Sequence, residues 1–265
     1  MTCSLVITTY NWKKALELVL LSVLKQSLLP DEIIIADDGS TNDTKELIEH
    51  FKNTSKLKII HSWQEDDGFR ASASRNRAIA KASSEYIILI DGDMILHNDF
   101  IKDHLFHAKR NHFIQGSRIL LTQNKSQSVF QKKSIKFSLF EKGLQNRKNR
   151  IKCSLLTKIL STPNSNLKGI KTCNMSFFKE DCLKVNGFNE DFVGWGREDS
   201  EFVVRLINNN ILRINIKFAA IAYHIFHNEN SREMLSANDE ILDKAIKHNV
   251  LVCDNGINKY LKERV

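Results

Sequence analysis

Apolar runs of strand length alternate with amphipathic stretches through the first 121 residues. The runs at 4–8, 32–36, 57–61 and 86–90 are short and aliphatic, which predicts buried strands. Between the first two, Leu16, Leu20, Val23 and Leu24 recur at helical spacing within 13–26. Asn42 or Asp43 is placed to cap a helix running through His50. Residues 74–81 and 98–110 predict two more helices, and 113–121 a single strand.

Strands alternating with helices imply an α/β chain with a mostly parallel sheet and helices on both faces. Ligands of such sheets sit beyond the carboxyl ends of the strands. Three polar clusters fall at those ends: Thr8-Thr9-Tyr10-Asn11, Asp37-Asp38-Gly39 and Asp91-Gly92-Asp93. Further along, 173–178 predicts a strand and Asn186-Gly187 a turn. Gly194-Trp195-Gly196-Arg197-Glu198-Asp199 then opens a helix with Phe202, Val203, Leu206 and Ile207 on one face. Residues 214–218 and 220–225 read as extended and end near His224 and His227, and 231–248 is helical in pattern.

Charge divides the chain differently. The formal net charge is +8. From Lys125 to Lys171, Glu141 is the single acid among Lys132, Lys133, Lys136, Lys142, Arg147, Lys148, Arg150, Lys152, Lys158 and Lys168. The alternating pattern stops here, so three regions are expected: 1–121, 122–171 and 172–265. A basic stretch is most often a solvated face, but it also suits anionic lipid, an anionic substrate or nucleic acid. Ile135, Phe137, Leu139 and Phe140 interleave with the lysines, which adds a membrane-surface option. No nucleic-acid reading motif accompanies the charge, so no nucleic-acid partner is expected. The five cysteines include no C-x-x-C pair, which argues against a zinc ribbon or a disulfide framework and for free, buried thiols. No run approaches the roughly 18 apolar residues of a membrane span, and no signal-peptide core is present. Cytoplasmic placement is the expectation, with peripheral association at the inner membrane as the option that the basic region adds.

Candidate chemistry sits at the polar clusters. Two carboxylates one residue apart on a tight turn, Asp91 and Asp93, suit a hard divalent cation and a ribose or water contact. His224 and His227, three apart near a strand end, are placed to complete a metal shell, and imidazole favours Mn²⁺ over Mg²⁺. Either one or both serve that purpose. Glu198 and Asp199 open a helix, where the dipole favours acids in any case. Asp199 beside the aromatic Trp195 also suits a general base next to a sugar platform. Arg70, Arg75 and Arg77 bring guanidinium groups toward the same end, for phosphate or carboxylate.

These motifs together resemble family-two glycosyltransferases of the GT-A fold. Val6-Ile7-Thr8-Thr9-Tyr10-Asn11, Asp37-Asp38-Gly39-Ser40 and Asp91-Gly92-Asp93 follow that family's order and spacing. Gly68-Phe69-Arg70-Ala71-Ser72-Ala73-Ser74-Arg75-Asn76 is similar to a stretch of bacterial chondroitin polymerases, and the 194–199 motif to β-1,4-galactosyltransferases. The resemblance implies a GT-A Rossmann-like sheet with a smaller acceptor-binding region. Residues 1–121 become the nucleotide-sugar-binding half, 122–171 a basic insertion facing acceptor or membrane, and 172–265 the acceptor-binding and catalytic half. It further implies that Thr8, Tyr10, Asp38 and Arg75 hold the nucleotide base, that Asp91 binds ribose, and that Asp93 ligates metal with His224 or His227. Asp199 becomes the base, Glu198 its acceptor-binding partner, and Thr172 to Asn174 neighbours of the donor sugar. Arg197 stands where the galactosyltransferase motif has glycine, which suits an anionic acceptor alongside Trp195.

The implied reaction is inverting, metal-dependent transfer of a hexose or N-acetylhexosamine from a UDP-sugar to a glycan or lipid-linked glycan. The implied setting is lipopolysaccharide, O-antigen or capsule synthesis. Two rivals are a sugar-nucleotide nucleotidyltransferase and a basic nucleic-acid-binding protein. The first calls for a Gly-rich, lysine-bearing phosphate loop after the first strand, where this chain has Thr9-Tyr10-Asn11-Trp12-Lys13.

Overall fold

The structure is a computed structural model and describes residues 1–138, 140–228 and 231–261. Leu139 therefore lies outside the described residues. The chain runs β1 (Cys3–Thr9), α1 (Lys13–Val23), β2 (Glu32–Asp37), α2 (Asn42–Thr54), β3 (Ile59–Trp63), α3 (Ala71–Lys81) and β4 (Tyr86–Asp91). It continues through β5 (Met94–Leu96), α4 (Phe100–His107), β6 (His112–Gln115), β7 (Arg118–Leu121), α5 (Gln123–Lys132) and β8 (Leu144–Gln145). After a 3₁₀ turn at Arg147–Arg150 come α6 (Ser154–Leu160), β9 (Pro163–Asn164), β10 (Asn174–Phe178) and α7 (Lys179–Lys184). The last elements are α8 (Glu198–Asn208), β11 (Leu212–Asn215), β12 (Ala222–His224), α9 (Leu235–Lys247) and α10 (Asn258–Leu261).

Among the described residues, eight strands form one sheet in the order β3-β2-β1-β4-β10-β6-β11-β9. Its first four strands run parallel, and β10 enters antiparallel between β4 and β6. Side chains alternate between the two faces of a strand. Leu5, Ile7, Ile33, Ile35, Ile88 and Ile90 pack beneath α1, α2 and α4. Val6, Ile34, Ile87 and Leu89 pack on the other side against α3, α7 and α8. Burial on both faces explains why these strands read as continuous aliphatic runs. Both faces also take residues from beyond position 171, including Cys173, Phe178 and Ile214 on one and Phe177 and Phe202 on the other. Residues before 121 and after 171 thus share the same two clusters.

Residues 113–121 are two strands rather than one. β6 joins the main sheet, while β7 joins a four-stranded sheet of order β5-β12-β7-β8. The chain switches sheets at Gly116, where a Cβ would lie 2.3 Å from the Asn174 amide group. The basic region also differs from expectation. Ile135 and Phe137 pack inward against Ile95, Ile119 and Tyr223, and Phe137 stacks on Tyr223 at 4.2 Å. Their alternation with lysines therefore marks a half-buried surface strip. Phe140 stays 93 % exposed. All five cysteines are free, and four are buried. Among the described residues, no helix is long and apolar enough to cross a membrane.

Candidate active site

The parallel register aligns three strand ends. Thr9 lies opposite Asp37, and Thr8 opposite Asp91, so β1, β2 and β4 stop at one level. The three polar clusters of the sequence become one cleft floor. At its β2 side, Asp38 accepts hydrogen bonds from the Gln64 side chain at 2.6 Å and the Arg70 N–H at 2.9 Å. Burial pushes its carboxyl up to about 6 despite those donors. Tyr10 is half exposed and donates its hydroxyl to Asp66. The Thr8 hydroxyl is buried with no partner among the described residues.

At the β4 side, Asp91, Gly92 and Asp93 turn the chain from the main sheet into the smaller one. β12 pairs with β5 so that His224 lies opposite Met94. The Ile225 N–H donates to the Asp93 carbonyl at 3.0 Å. Both His224 Nε2 and His227 Nε2 then stand 3.4 Å from Asp93 Oδ2. The two nitrogens and the carboxylate oxygen lie within 4.8 Å of one another, close enough to share one ion. Burial, helped by Arg118, holds His224 down at about 3, so the imidazole is neutral and its lone pair is available. Burial and the neighbouring Asp91 carboxylate push Asp93 well up, and its Oδ1 is buried without a partner among the described residues. A carboxylate in that state is stabilised by a cation.

The acceptor-side motif closes the cleft from above. Gly194, Gly196 and Arg197 all take positive φ, which folds the loop tightly over the start of α8. Glu198 and Asp199 occupy its first turn. Arg75, buried on α3, spans the cleft: Nη1 lies 3.2 Å from Glu198 and 3.3 Å from Asp199, and Nη2 lies 3.6 Å from Asp91. Burial opposes its charge, but the three carboxylates outweigh burial and keep it protonated. Glu198 is raised to about 7 by burial and by Asp199, against Arg75. Asp199 accepts from both the N–H and the hydroxyl of Thr172.

The cleft therefore holds Asp93, His224 and His227, whose atoms lie close enough to share an ion, and the Glu198 and Asp199 pair, with the buried Arg75 reaching from that pair to Asp91. Residues 4–161 match the pattern described as Glycosyl transferase family 2, and residues 158–228 match the N-terminal domain of galactosyltransferase. The chain belongs to glycosyl transferase family 2. Its relatives include an Escherichia coli chondroitin synthase, 28 % identical over 237 residues, covering 83 % of this chain and 34 % of that protein. The chain thus spans about a third of that relative's length. A Staphylococcus aureus TarS fragment in complex with UDP superposes with a TM-score of 0.61 at 19 % identity, covering 99 % of this chain and 70 % of that one. A Pyrobaculum calidifontis mannosyltransferase in complex with GDP-Man and Mn²⁺ gives 0.57 at 16 % identity, covering 86 % and 57 %. Both likenesses are of fold.

Within this glycosyltransferase, the side chains expected at the site fall into two groups. Thr8, Asp38, Arg75, Asp91, Asp93, Glu198, Asp199, His224 and His227 line the strand ends and the first turn of α8. The Trp195 ring is 40 % exposed on the loop above. Arg197 instead turns away to pair with Asp239 on α9. Arg75 makes its polar contacts with carboxylates rather than with the Asp38 end. Sequence reasoning passed over Arg118, whose charge opposes the rise that burial gives Asp91 and Asp93 and adds to the lowering that burial gives His224. It also passed over Asn238, whose amide donates to the Val193 and Gly196 carbonyls under the loop. Neither stands in a motif, and only the fold brings them in.

Proposed function

We propose that this glycosyltransferase moves a hexose or N-acetylhexosamine from a UDP-sugar to a glycan acceptor hydroxyl, with inversion and β-1,4 linkage. The pathway would be bacterial lipopolysaccharide, O-antigen or capsule synthesis. The observation that carries the reading is Arg75, which joins Asp91 beside the cation corner to Asp199 on the acceptor loop. UDP in the S. aureus structure, and GDP-Man with Mn²⁺ in the P. calidifontis one, support a nucleotide-diphosphate donor.

Thr8, Tyr10 and Asp38 would receive the nucleotide base, and Asp91 the ribose. Asp93, His224 and His227 would hold the divalent ion, Mn²⁺ in preference to Mg²⁺. The unpartnered Asp93 Oδ1 and the neutral His224 fit that role. A bound divalent ion supplies positive charge against the leaving diphosphate. Asp199 takes the acceptor proton as the hydroxyl oxygen bonds to the anomeric carbon and the bond to the diphosphate breaks. Thr172 fixes the direction of that carboxylate, and Arg75 lies 3.3 Å from it. Glu198 and Trp195 would orient the acceptor sugar. The basic region would face an anionic or lipid-linked acceptor.

Calorimetry tests the reading by titrating UDP and several UDP-sugars with Mn²⁺, Mg²⁺ or chelator. Metal-dependent UDP binding that Asp93→Ala abolishes is the expected result. Absence of UDP binding under every metal condition would overturn the UDP-sugar reading.

A further inference from the structure

The helix α6 is built inside out. Six of its seven residues are exposed, and only Thr157 is buried. At 100° per residue, Leu155, Ile159, Leu156 and Leu160 share one continuous face, and Thr157 lies on the other. That apolar face points to solvent, with Leu155 at 66 % and Ile159 at 58 % exposure. Ile151, just before the helix, is half exposed as well. Isolated exposed aliphatics are ordinary, but a contiguous set on one helix face is a docking surface.

The helix is held firmly in this orientation. The Cys153 N–H donates to the Phe218 carbonyl at 3.0 Å, and the Lys217 N–H to Ser161 Oγ at 3.1 Å. Lys152 pairs with Asp99, just before α4, and with Asp103 within it. Charge says what covers the face. Between Glu141 and Glu180 the chain has no acid. Lys158 on the helix and Lys217, whose N–H meets Ser161 at its end, are both exposed. Aliphatic side chains framed by lysines suit an interface with acyl chains below and anionic headgroups around.

We propose that α6 and its lysines dock this chain on an anionic lipid bilayer. The surface stands on its own geometry. Its use rests on the transfer reading: the segment after α6 leads through β9 to Thr172, which holds Asp199, so docking would bring the catalytic cleft near lipid-linked acceptors.

Sedimentation of the full chain with phosphatidylcholine vesicles, with or without phosphatidylglycerol, tests this. Binding that needs phosphatidylglycerol and weakens steeply with salt is expected. The double variant Leu155→Ser/Ile159→Ser, and separately Lys158→Glu/Lys217→Glu, should each lose more than tenfold in partitioning. Calorimetric UDP binding and the melting temperature should stay as in the parent. Failure of the parent chain to pellet with anionic vesicles overturns the proposal, as does a Leu155→Ser/Ile159→Ser variant that binds equally well. Concentration-dependent self-association that this variant abolishes, without vesicle binding, assigns the face to a second copy and overturns it too. UDP binding reports on the transfer reading separately, so the two readings fail independently.

Discussion

Thr172 gives Asp199 two hydrogen bonds, its N–H to Oδ2 at 2.9 Å and its hydroxyl to Oδ1 at 2.8 Å. The pair crosses the cleft from the end of the basic region to the start of α8, so it fixes the carboxylate against the sheet. Thr172→Val keeps the N–H and the shape but removes the hydroxyl. A hydrogen bond to a charged group is worth about 1.5–3 kcal/mol, so kcat should fall roughly 10- to 100-fold. The donor KM should stay within about twofold if the proposed base acts on the acceptor hydroxyl. Steady-state kinetics decide the matter: an unchanged kcat with a raised donor KM would show that Thr172 serves the donor instead.

The strand ends were legible because their cause is local. A strand buried on both faces has to be aliphatic, and a polar cluster at its end has to face a ligand or solvent. The break in 113–121 was not legible, because Gly116 is required by the Asn174 amide, which is distant in sequence. The packing of Phe137 was not legible for the same reason: its partner Tyr223 comes from β12. The choice between His224 and His227 was open in the sequence, and the pairing of β12 with β5 carries both to Asp93. Arg197 was expected to face the acceptor, and the fold ties it to Asp239 because α9 packs against that loop.

Asp93 tests the cation corner without an activity assay. Its carboxyl is buried beside Asp91 with one oxygen unpartnered, an unfavourable state in the metal-free protein. Asp93→Asn removes that charge. Equilibrium dialysis should show Mn²⁺ binding lost. The metal-free variant should melt no lower than the parent and about 2–4 °C higher if the gain is near 1 kcal/mol. A marked drop in melting temperature without metal would mean that Asp93 is a structural carboxylate.

Acid stability should depend on Glu32, well away from the cleft. Burial would raise this carboxyl, but donors from Lys58, Ser4 and the Ser83 N–H outweigh it and hold it at about 2. A carboxyl depressed in the folded state stabilises above its unfolded value, near 4.5, and that contribution is lost as pH falls toward 2. Lys58 is 58 % exposed, so its share is discounted for solvent screening. Glu32→Gln should cost roughly 2 kcal/mol at pH 7 by urea denaturation. The gap to the parent should narrow by pH 3. Equal gaps at both values would show that the shape of Glu32, not its charge, matters.

The loop over the cleft is clamped from α9 by two neighbouring side chains. Asn238 is buried and donates to the Val193 and Gly196 carbonyls at 3.2 and 3.0 Å. Asp239 accepts from Arg197, which sits at φ 77°, a conformation that glycine adopts more easily. Arg197→Gly relieves that strain and loses only an exposed ion pair, so stability should hold or rise by about 1 kcal/mol. Asn238→Ala leaves two loop carbonyls without their donor and should cost about 2 kcal/mol. The two changes thus push stability in different directions but loosen the same loop. If α9 sets the acceptor pocket by holding this loop, both should raise the acceptor KM several-fold and leave the donor KM alone. A merely structural role would let acceptor KM follow stability, with Asn238→Ala impaired and Arg197→Gly normal.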